Sequence, residues 1–319
     1  MKDSPVCYSV GALLYSPANN QKIADDIVCG RFGDKYSVAL CLEDTIRDNC
    51  VPQAERILVN SLKKIHESKK SKEFYLPKIF VRVRYSKQIQ TIYHDLDDAA
   101  GIIKGFIIPK ISLSNIDAYL NSFLSVSRQT DNELYMMPIL ECEDIIDPSE
   151  RISVLSGIRD KLCTAEQNIL NIRVGGNDLC NAFGLRRHQD ETIYDIRPIA
   201  DILTDIIAVF GRDYVISGPV WEYYSGEGWD TGMKKEIAMD IRAGFIGKTV
   251  IHPNQIKIVN EALMISESDY NDAKAIVGWD SDNLVAGSAD CSRMNEYKTH
   301  YRWARKVMHL AEYYGIRKD

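Results

Sequence analysis

The sequence predicts a single (β/α)8 barrel followed by a C-terminal helical extension, and three observations carry that expectation. Short apolar runs alternate with longer amphipathic stretches eight times, a pattern that implies right-handed crossovers and a parallel sheet. Five of those runs end in ionisable residues, within CLEDT, VRVR, IIPKI, PILE and VGGND, and barrel enzymes place their catalytic groups at the carboxyl ends of strands. The chain has 319 residues, room for one barrel plus an extension, since barrels of about 250 residues fold as one unit. Eight repeats fit a closed barrel better than an open doubly wound sheet.

In chain order, strand-like runs occupy 10–15, 37–42, 79–84, 105–109, 135–140, 169–174, 214–217 and 245–251. Helical stretches fall between them at 20–32, 51–68, 86–99, 113–126, 149–163, 194–210 and 231–243, with an eighth at 254–265. Asp147, Pro148, Ser149 and Glu150 together mark a first turn, with an acid, a proline and a hydroxyl at a helix start. The run at 169–174 breaks at Gly175 and Gly176, and Asp178 follows. The barrel is expected to span 1–266 and the extension 267–319. The extension holds a polar stretch with Trp279, Asp280, Asp282, Asp290 and Glu296, then a helix at 295–314. That helix carries Tyr297, Tyr301, Ala304, Val307, Met308, Ala311 and Tyr314 at helical spacing, so one face must dock. Two readings stand: an extra helix packed on the barrel or on a neighbouring subunit, or a lid over the mouth.

Strand side chains alternate with period two. Arg82 and Arg84 therefore share a face with Phe80, Glu141 with Ile139 and Met137, and Asp44 with Leu42 and Leu40. Each charged group is expected at the top of an apolar face that fills the barrel, its last layer lining the mouth.

Composition narrows the function. Hydrophobic residues make up 45% and charged residues 26% of the chain, which allows a large core. The formal net charge of −6 argues against nucleic acid or an anionic membrane as partner, because both need a basic surface. A small anionic substrate remains, given local cations or a metal. None of the eight cysteines forms a CxxC pair, and a chain this large needs no staples. They read as reduced, mostly buried thiols of a cytoplasmic protein, with no signal peptide and no run near the roughly 18 apolar residues of a membrane span.

Glu141 and Asp178 are the candidate metal pair, since two carboxylates at adjacent strand ends suit a hard cation such as Mg2+ with water and substrate oxygens completing the shell. The alternative is that both cap helices or pair with arginines. Arg82 and Arg84 offer planar donor forks for a carboxylate or phosphate; the alternative is an internal salt bridge to Asp44 or Glu43. Lys110 follows a proline at a strand end, where it neutralises developing charge or orients a carboxylate. Asp44 is placed to hold water or an arginine, and Gly176 joins the substrate-binding set. Gly247-Lys248-Thr249 is not a P-loop, because Arg242 stands where the pattern needs glycine. Leu179 replaces the third glycine of a dinucleotide fingerprint, the six histidines lack metal spacing, and there is no GxSxG for a serine nucleophile.

These residues resemble the HpcH/HpaI aldolase and citrate lyase β-subunit family. Its patterns LEDAV, VRVN, PKV, ET, GAEDL and GF.GK..IHP.QI are similar to CLEDT (41–45), VRVR (81–84), PKI (109–111), LECED (140–144), GGNDL (175–179) and GFIGKTVIHPNQI (244–256). They occur in order over roughly 10–265, and the last is the most specific. The resemblance implies a TIM barrel, often trimeric or hexameric, that uses Mg2+ to make or break a C–C bond next to a carbonyl. It implies that Glu141 and Asp178 ligate the metal, that Arg82 binds the oxo-acid end, and that Asp44 and Lys110 complete the site. The asparagine of VRVN is Arg84 here, implying a more cationic pocket. Relatives that cleave CoA thioesters bring an aspartate across a subunit boundary in a pattern like MID; this chain has Met294-Asn295-Glu296, which leaves the catalytic base and a CoA site open. The divergence is similar to a branch of C–C bond lyases associated with tellurite-resistance biosynthetic operons. The leading expectation is a Mg2+-dependent carbon–carbon lyase or aldolase acting on a 2-oxo acid, acyl-CoA-type or related anionic substrate. A phosphoenolpyruvate-type hydrolase or mutase on the same barrel is the alternative enzyme, and a catalytically degenerate metabolite-binding scaffold the non-enzymatic one.

Overall fold

Eight runs rich in isoleucine, valine and leucine form the strands β1 (Ala12–Pro17), β2 (Tyr36–Cys41), β3 (Lys78–Arg82), β4 (Ile103–Ile108), β5 (Tyr135–Leu140), β6 (Ile172–Val174), β7 (Ile216–Ser217) and β8 (Lys248–Val250). The structure is a computed structural model describing residues 4–289 and 291–318; Asp290 lies outside the described residues. All the strand pairs are parallel, in the order β7-β6-β5-β4-β3-β2-β1-β8. β1 pairs with both β2 and β8. A parallel bridge from Gly218 to Lys248 and the bond from Ile246 N–H to Ile216 O, 2.7 Å, carry the last seam, so the eight-stranded barrel closes where its strands are shortest.

The helices between strands are α1 (Ile23–Val28), α2 (Val51–Ser71), α3 (Lys87–Leu96), α4 (Ile116–Ser127), α5 (Arg151–Leu162), α6 (Gly176–Ala182), α7 (Arg197–Phe210) and α8 (Trp229–Ala243), with α9 (Asn254–Leu263) after β8. Asp147 accepts from Ser149 N–H and Oγ just ahead of α5, as its sequence predicts. Two helices went unpredicted as such. The short α6 begins at Gly176 itself. The helix α10 (Glu267–Val277) is capped by Ser266, whose hydroxyl accepts from Asp269 N–H.

Two apolar layers result, one between sheet and helices, the other inside the barrel. Leu13, Ala39, Phe80, Ile107, Met137 and Ile139 fill the interior. Leu40 and Leu42 belong to the outer layer beneath the helices, which corrects the parity expected for β2: Ala39 and Cys41 face inward, and Glu43 continues their face while Asp44 does not. Arg84 is corrected too. β3 ends at Arg82, so the alternation stops before Arg84, whose guanidinium instead donates to the carbonyls of Leu42, Glu43 and Ile46 and pairs with Asp48. Arg84 braces the turn after β2 and does not line the mouth.

The stretch 244–256 has a structural task. Lys248 Nζ lies 2.9 Å from Glu236 and 2.6 Å from Asp240, while Arg187 reaches Glu236 at 2.7 Å and Tyr194 donates to Asp240. Four buried charges thus tie β8 to α8 and to the loop after α6. Gln255 accepts from the N–H groups of Ile251 and His252 and donates to the carbonyls of Trp221 and Tyr223, fixing the loop after β7.

In the extension, α11 (Tyr297–Tyr314) packs against α10 through Ala304 and Val307. Asn295 sits in a short strand, β11 (Met294–Glu296), paired with β10 (Val285–Gly287), and its amide donates to buried Asp272. Tyr314 OH donates to Tyr8 O at 2.6 Å, and its ring covers Gly11, where a Cβ would meet the hydroxyl at 2.8 Å and the backbone φ is +57°. Gly11 immediately precedes β1, so α11 docks on the amino-terminal face of its own barrel. That location corrects the lid expectation for this chain's own mouth, which lies at the opposite face.

Candidate active site at the barrel mouth

A cavity of about 470 Å3 opens at the carboxyl ends of the strands and is lined by Asp44, Arg82, Glu141, Gly176 and Asp178, with Tyr15, Arg173 and Thr249 deeper down. Arg82 ends β3 and is nearly buried. Its Nη2 lies 2.7 Å from Glu43, 3.2 Å from Asp44 and 3.0 Å from Glu141. Lys110 follows β4 with φ +47°, a left-handed conformation that side chains other than glycine adopt at a cost of order 1–3 kcal/mol. This turn aims its N–H at Glu141 Oε1, 3.0 Å away, and its Nζ at Glu43 and Asp44, 2.9 and 3.0 Å away. Asp178, at the start of α6, stands 3.9 Å from the same Nζ.

Five of the predicted groups therefore converge: Asp44, Arg82, Lys110, Glu141 and Asp178. Gly176 forms part of the wall, packed so closely on Ile193 and Pro219 that a Cβ would meet them at 2.7 and 2.8 Å. Both alternatives to ligand binding are partly realised as well, because the arginine does pair with Glu43 and Asp44. Sequence reasoning left out Glu43, which joins both cations; counting parity from Ala39 and Cys41 points to it. It also left out Arg173, whose signal was a lone charge inside the apolar run 169–174.

Electrostatics separate the carboxyl groups. Burial pushes the Glu141 carboxyl up to about 8 against the pull of Arg82, and the Asp178 charge adds to the rise. Burial raises Glu43 as well, reinforced by the neighbouring Asp44 carboxyl. Asp44 is itself partly buried, but hydrogen bonds with Glu43 and Lys110 and the Arg82 charge hold it down at about 2. The Glu43 and Lys110 contacts thus set one proton-holding carboxyl beside one ionised one, an arrangement suited to proton transfer.

The donor set suits a hard cation. Among the described residues no three His, Cys, Asp or Glu side chains form a ready cage. Mg2+ commonly takes one or two carboxylates and keeps waters or substrate oxygens, which matches Glu141 with Asp178. Glu141 Oε2 rests over Gly175, where a Cβ would meet it at 2.0 Å; glycine there makes space for that oxygen.

A family model described as C-C_Bond_Lyase of the TIM-Barrel fold matches residues 4–316. No curated protein sequence matches the chain. Among solved structures, a citrate lyase from Burkholderia xenovorans superposes with a TM-score of 0.71 at 13% identity, covering 97% of this chain and 93% of that one. The CitE protein of Mycobacterium tuberculosis, in complex with magnesium, acetoacetate and coenzyme A, gives 0.60 at 16% identity, covering 96% and 99%. The citrate lyase β subunit of M. tuberculosis complexed with oxaloacetate and magnesium gives 0.53 at 15%, covering 81% and 99%. At such identities these likenesses concern the fold.

Proposed function

Because the chain belongs to the C–C bond lyase family of the TIM-barrel fold, and is by that membership a carbon–carbon lyase, we propose that it cleaves or forms a C–C bond next to the carbonyl of a 2-oxo acid with Mg2+ bound at Glu141 and Asp178. The observation that carries this reading is the convergence of Glu43, Asp44, Glu141 and Asp178 around Arg82 and Lys110 at the mouth. Mg2+ at this place supplies Lewis-acid polarisation of the carbonyl and compensation for enolate charge.

The chain's own groups supply the rest. Arg82 presents a buried guanidinium to the anionic end of the substrate, and its carboxylate partners keep it from swinging away. Lys110, held charged by Glu43 and Asp44 despite its partial burial, sits where negative charge develops on bond cleavage and stabilises it electrostatically. Glu43 and Lys110 are the nearest proton holders for quenching the carbanion. Asp44 keeps both cations in place. The N–H of Gly176 belongs to the first turn of α6, whose donors have no intrahelical partner, and faces the substrate's carboxylate.

Calorimetry on the folded variants tests the reading. Glu141→Gln and Asp178→Asn should each abolish Mg2+-dependent binding of pyruvate or oxaloacetate while leaving the circular dichroism spectrum unchanged. Unchanged binding in both variants rules the reading out. The same titration with an acyl-CoA thioester determines whether the substrate is carried as a thioester.

A further inference from the structure

Two guanidiniums stand inside this barrel, and their surroundings differ sharply. Arg82 is met by three carboxylates. Arg173, from β6, is 1% exposed and donates from Nη2 to Thr249 Oγ1 at 2.6 Å, yet its Nε and Nη1 are buried without a hydrogen-bond partner. Among the described residues no carboxylate pairs with it. Tyr15 is the neighbour that favours its charge, while burial opposes it. A buried cation with unmet donors is costly, and Phe80, Ile107, Met137 and Ile139 show that this interior accepts apolar side chains. Such a conflict with folding is what a functional position looks like.

The position gives the conflict its meaning. Arg173 is in register with Ile139, two residues before Glu141 on β5, so it lies roughly 6–7 Å below the Glu141 level along the strand. The mouth cavity reaches down to Tyr15, Arg173 and Thr249. A ligand whose oxo-acid end sits at Arg82, Glu141 and Asp178 would bring its far end over Arg173.

We propose that Arg173, with Thr249 and Tyr15, forms a subsite on the barrel floor for a second anionic group of the substrate, a carboxylate or a phosphate-like group. This inference rests on the oxo-acid reading of the mouth and makes the preferred substrate a dianion. Arg173 is then a specificity-determining residue, and the substrate completes the hydrogen bonding that the fold leaves open.

Titration calorimetry with Mg2+ tests it using 2-oxobutyrate as the monoanion, oxaloacetate as the dicarboxylate and phosphonopyruvate as the phosphonate. The wild type should bind one of the dianions about ten- to a hundred-fold more tightly than 2-oxobutyrate, the range expected for hydrogen bonds to a charged group. Whichever dianion is preferred identifies the second group. Arg173→Met should erase the preference, leave 2-oxobutyrate binding within about three-fold, and leave the melting temperature of the ligand-free protein unchanged or raised. Arg173→Gln carries the same expectation where the Met variant does not fold. A wild type without preference, or a preference that survives both substitutions, overturns the proposal. So does failure of both variants to fold, which makes the guanidinium a strut. If no 2-oxo acid binds, the reading of the mouth fails separately, and metal-free malonate decides the subsite. A melting-temperature rise in the wild type that Arg173→Gln abolishes supports it, and no rise overturns it.

Discussion

At the residue scale, Glu141 controls how the mouth responds to pH. Its carboxyl is raised to about 8 by burial, with Asp178 adding to the effect and Arg82 opposing it, whereas an unfolded glutamate titrates near pH 4.3. The folded state therefore holds this proton more tightly, and this group's contribution to stability falls as pH rises from about 4.3 toward 8. Proton and metal compete for the same oxygens. The apparent Mg2+ affinity of the ligand-free protein should rise with pH, by up to about ten-fold per unit if one proton is displaced, and level off above about pH 8. Calorimetric titration from pH 6 to 9 checks this, and a flat profile would place the cation elsewhere.

At the element scale, the buried charges behind β8 hold more of the structure than their number implies. Lys248 and Glu236 are 1% and 0% exposed, and they join β8, α8 and the loop that carries Arg187. Removing one partner strands the others in a low-dielectric interior, which typically costs about 3–5 kcal/mol. Lys248→Met should lower the unfolding free energy by roughly that amount in urea denaturation. Because the network lies outside the mouth, whatever folded Lys248→Met remains at low temperature should bind Mg2+ and 2-oxo acids normally. A loss of binding with stability retained would assign Lys248 to the mouth instead. The motif at 244–256 carries a family resemblance in its residues, and in this structure those residues work as a brace.

At the scale of the whole molecule, the extension and the barrel share a core. Leu310 and Tyr314 of α11 belong to the same apolar layer as the strands and barrel helices. Deleting 267–319 should therefore yield protein that is insoluble or lacks a cooperative transition, and solubility with circular dichroism melting checks it. Tyr314→Ala is the graded version. It should cost about 3–5 kcal/mol, as truncation of a large buried aromatic does, without changing ligand affinity. No described helix is long and apolar enough to cross a membrane. The resemblance leads us to propose a homotrimer or homohexamer, which light scattering would read as three or six times the 36.2 kDa chain mass.

The amino-acid sequence by itself determined the barrel, because eight alternations of apolar run and amphipathic helix have few other ways to bury both faces of a parallel sheet. It also determined most of the mouth, since Asp44, Arg82, Lys110, Glu141 and Asp178 each end or follow a strand, and strand ends of a barrel meet in one place. Only the tertiary structure decided the rest. The inward face of β2 depends on a register that one residue of shift reverses, so Glu43 took the place read for Asp44's face. Arg84 lies beyond the last paired residue of β3, where period-two counting has no force. Arg173 looked like part of an apolar run, and only barrel closure placed it against Thr249 of β8, 76 positions away in the chain. Where α11 docks was likewise not readable, because helical spacing shows that a face must be covered but not by what. The fit of Tyr314 onto Gly11 is a contact between the two ends of the chain, made by packing rather than by any local pattern.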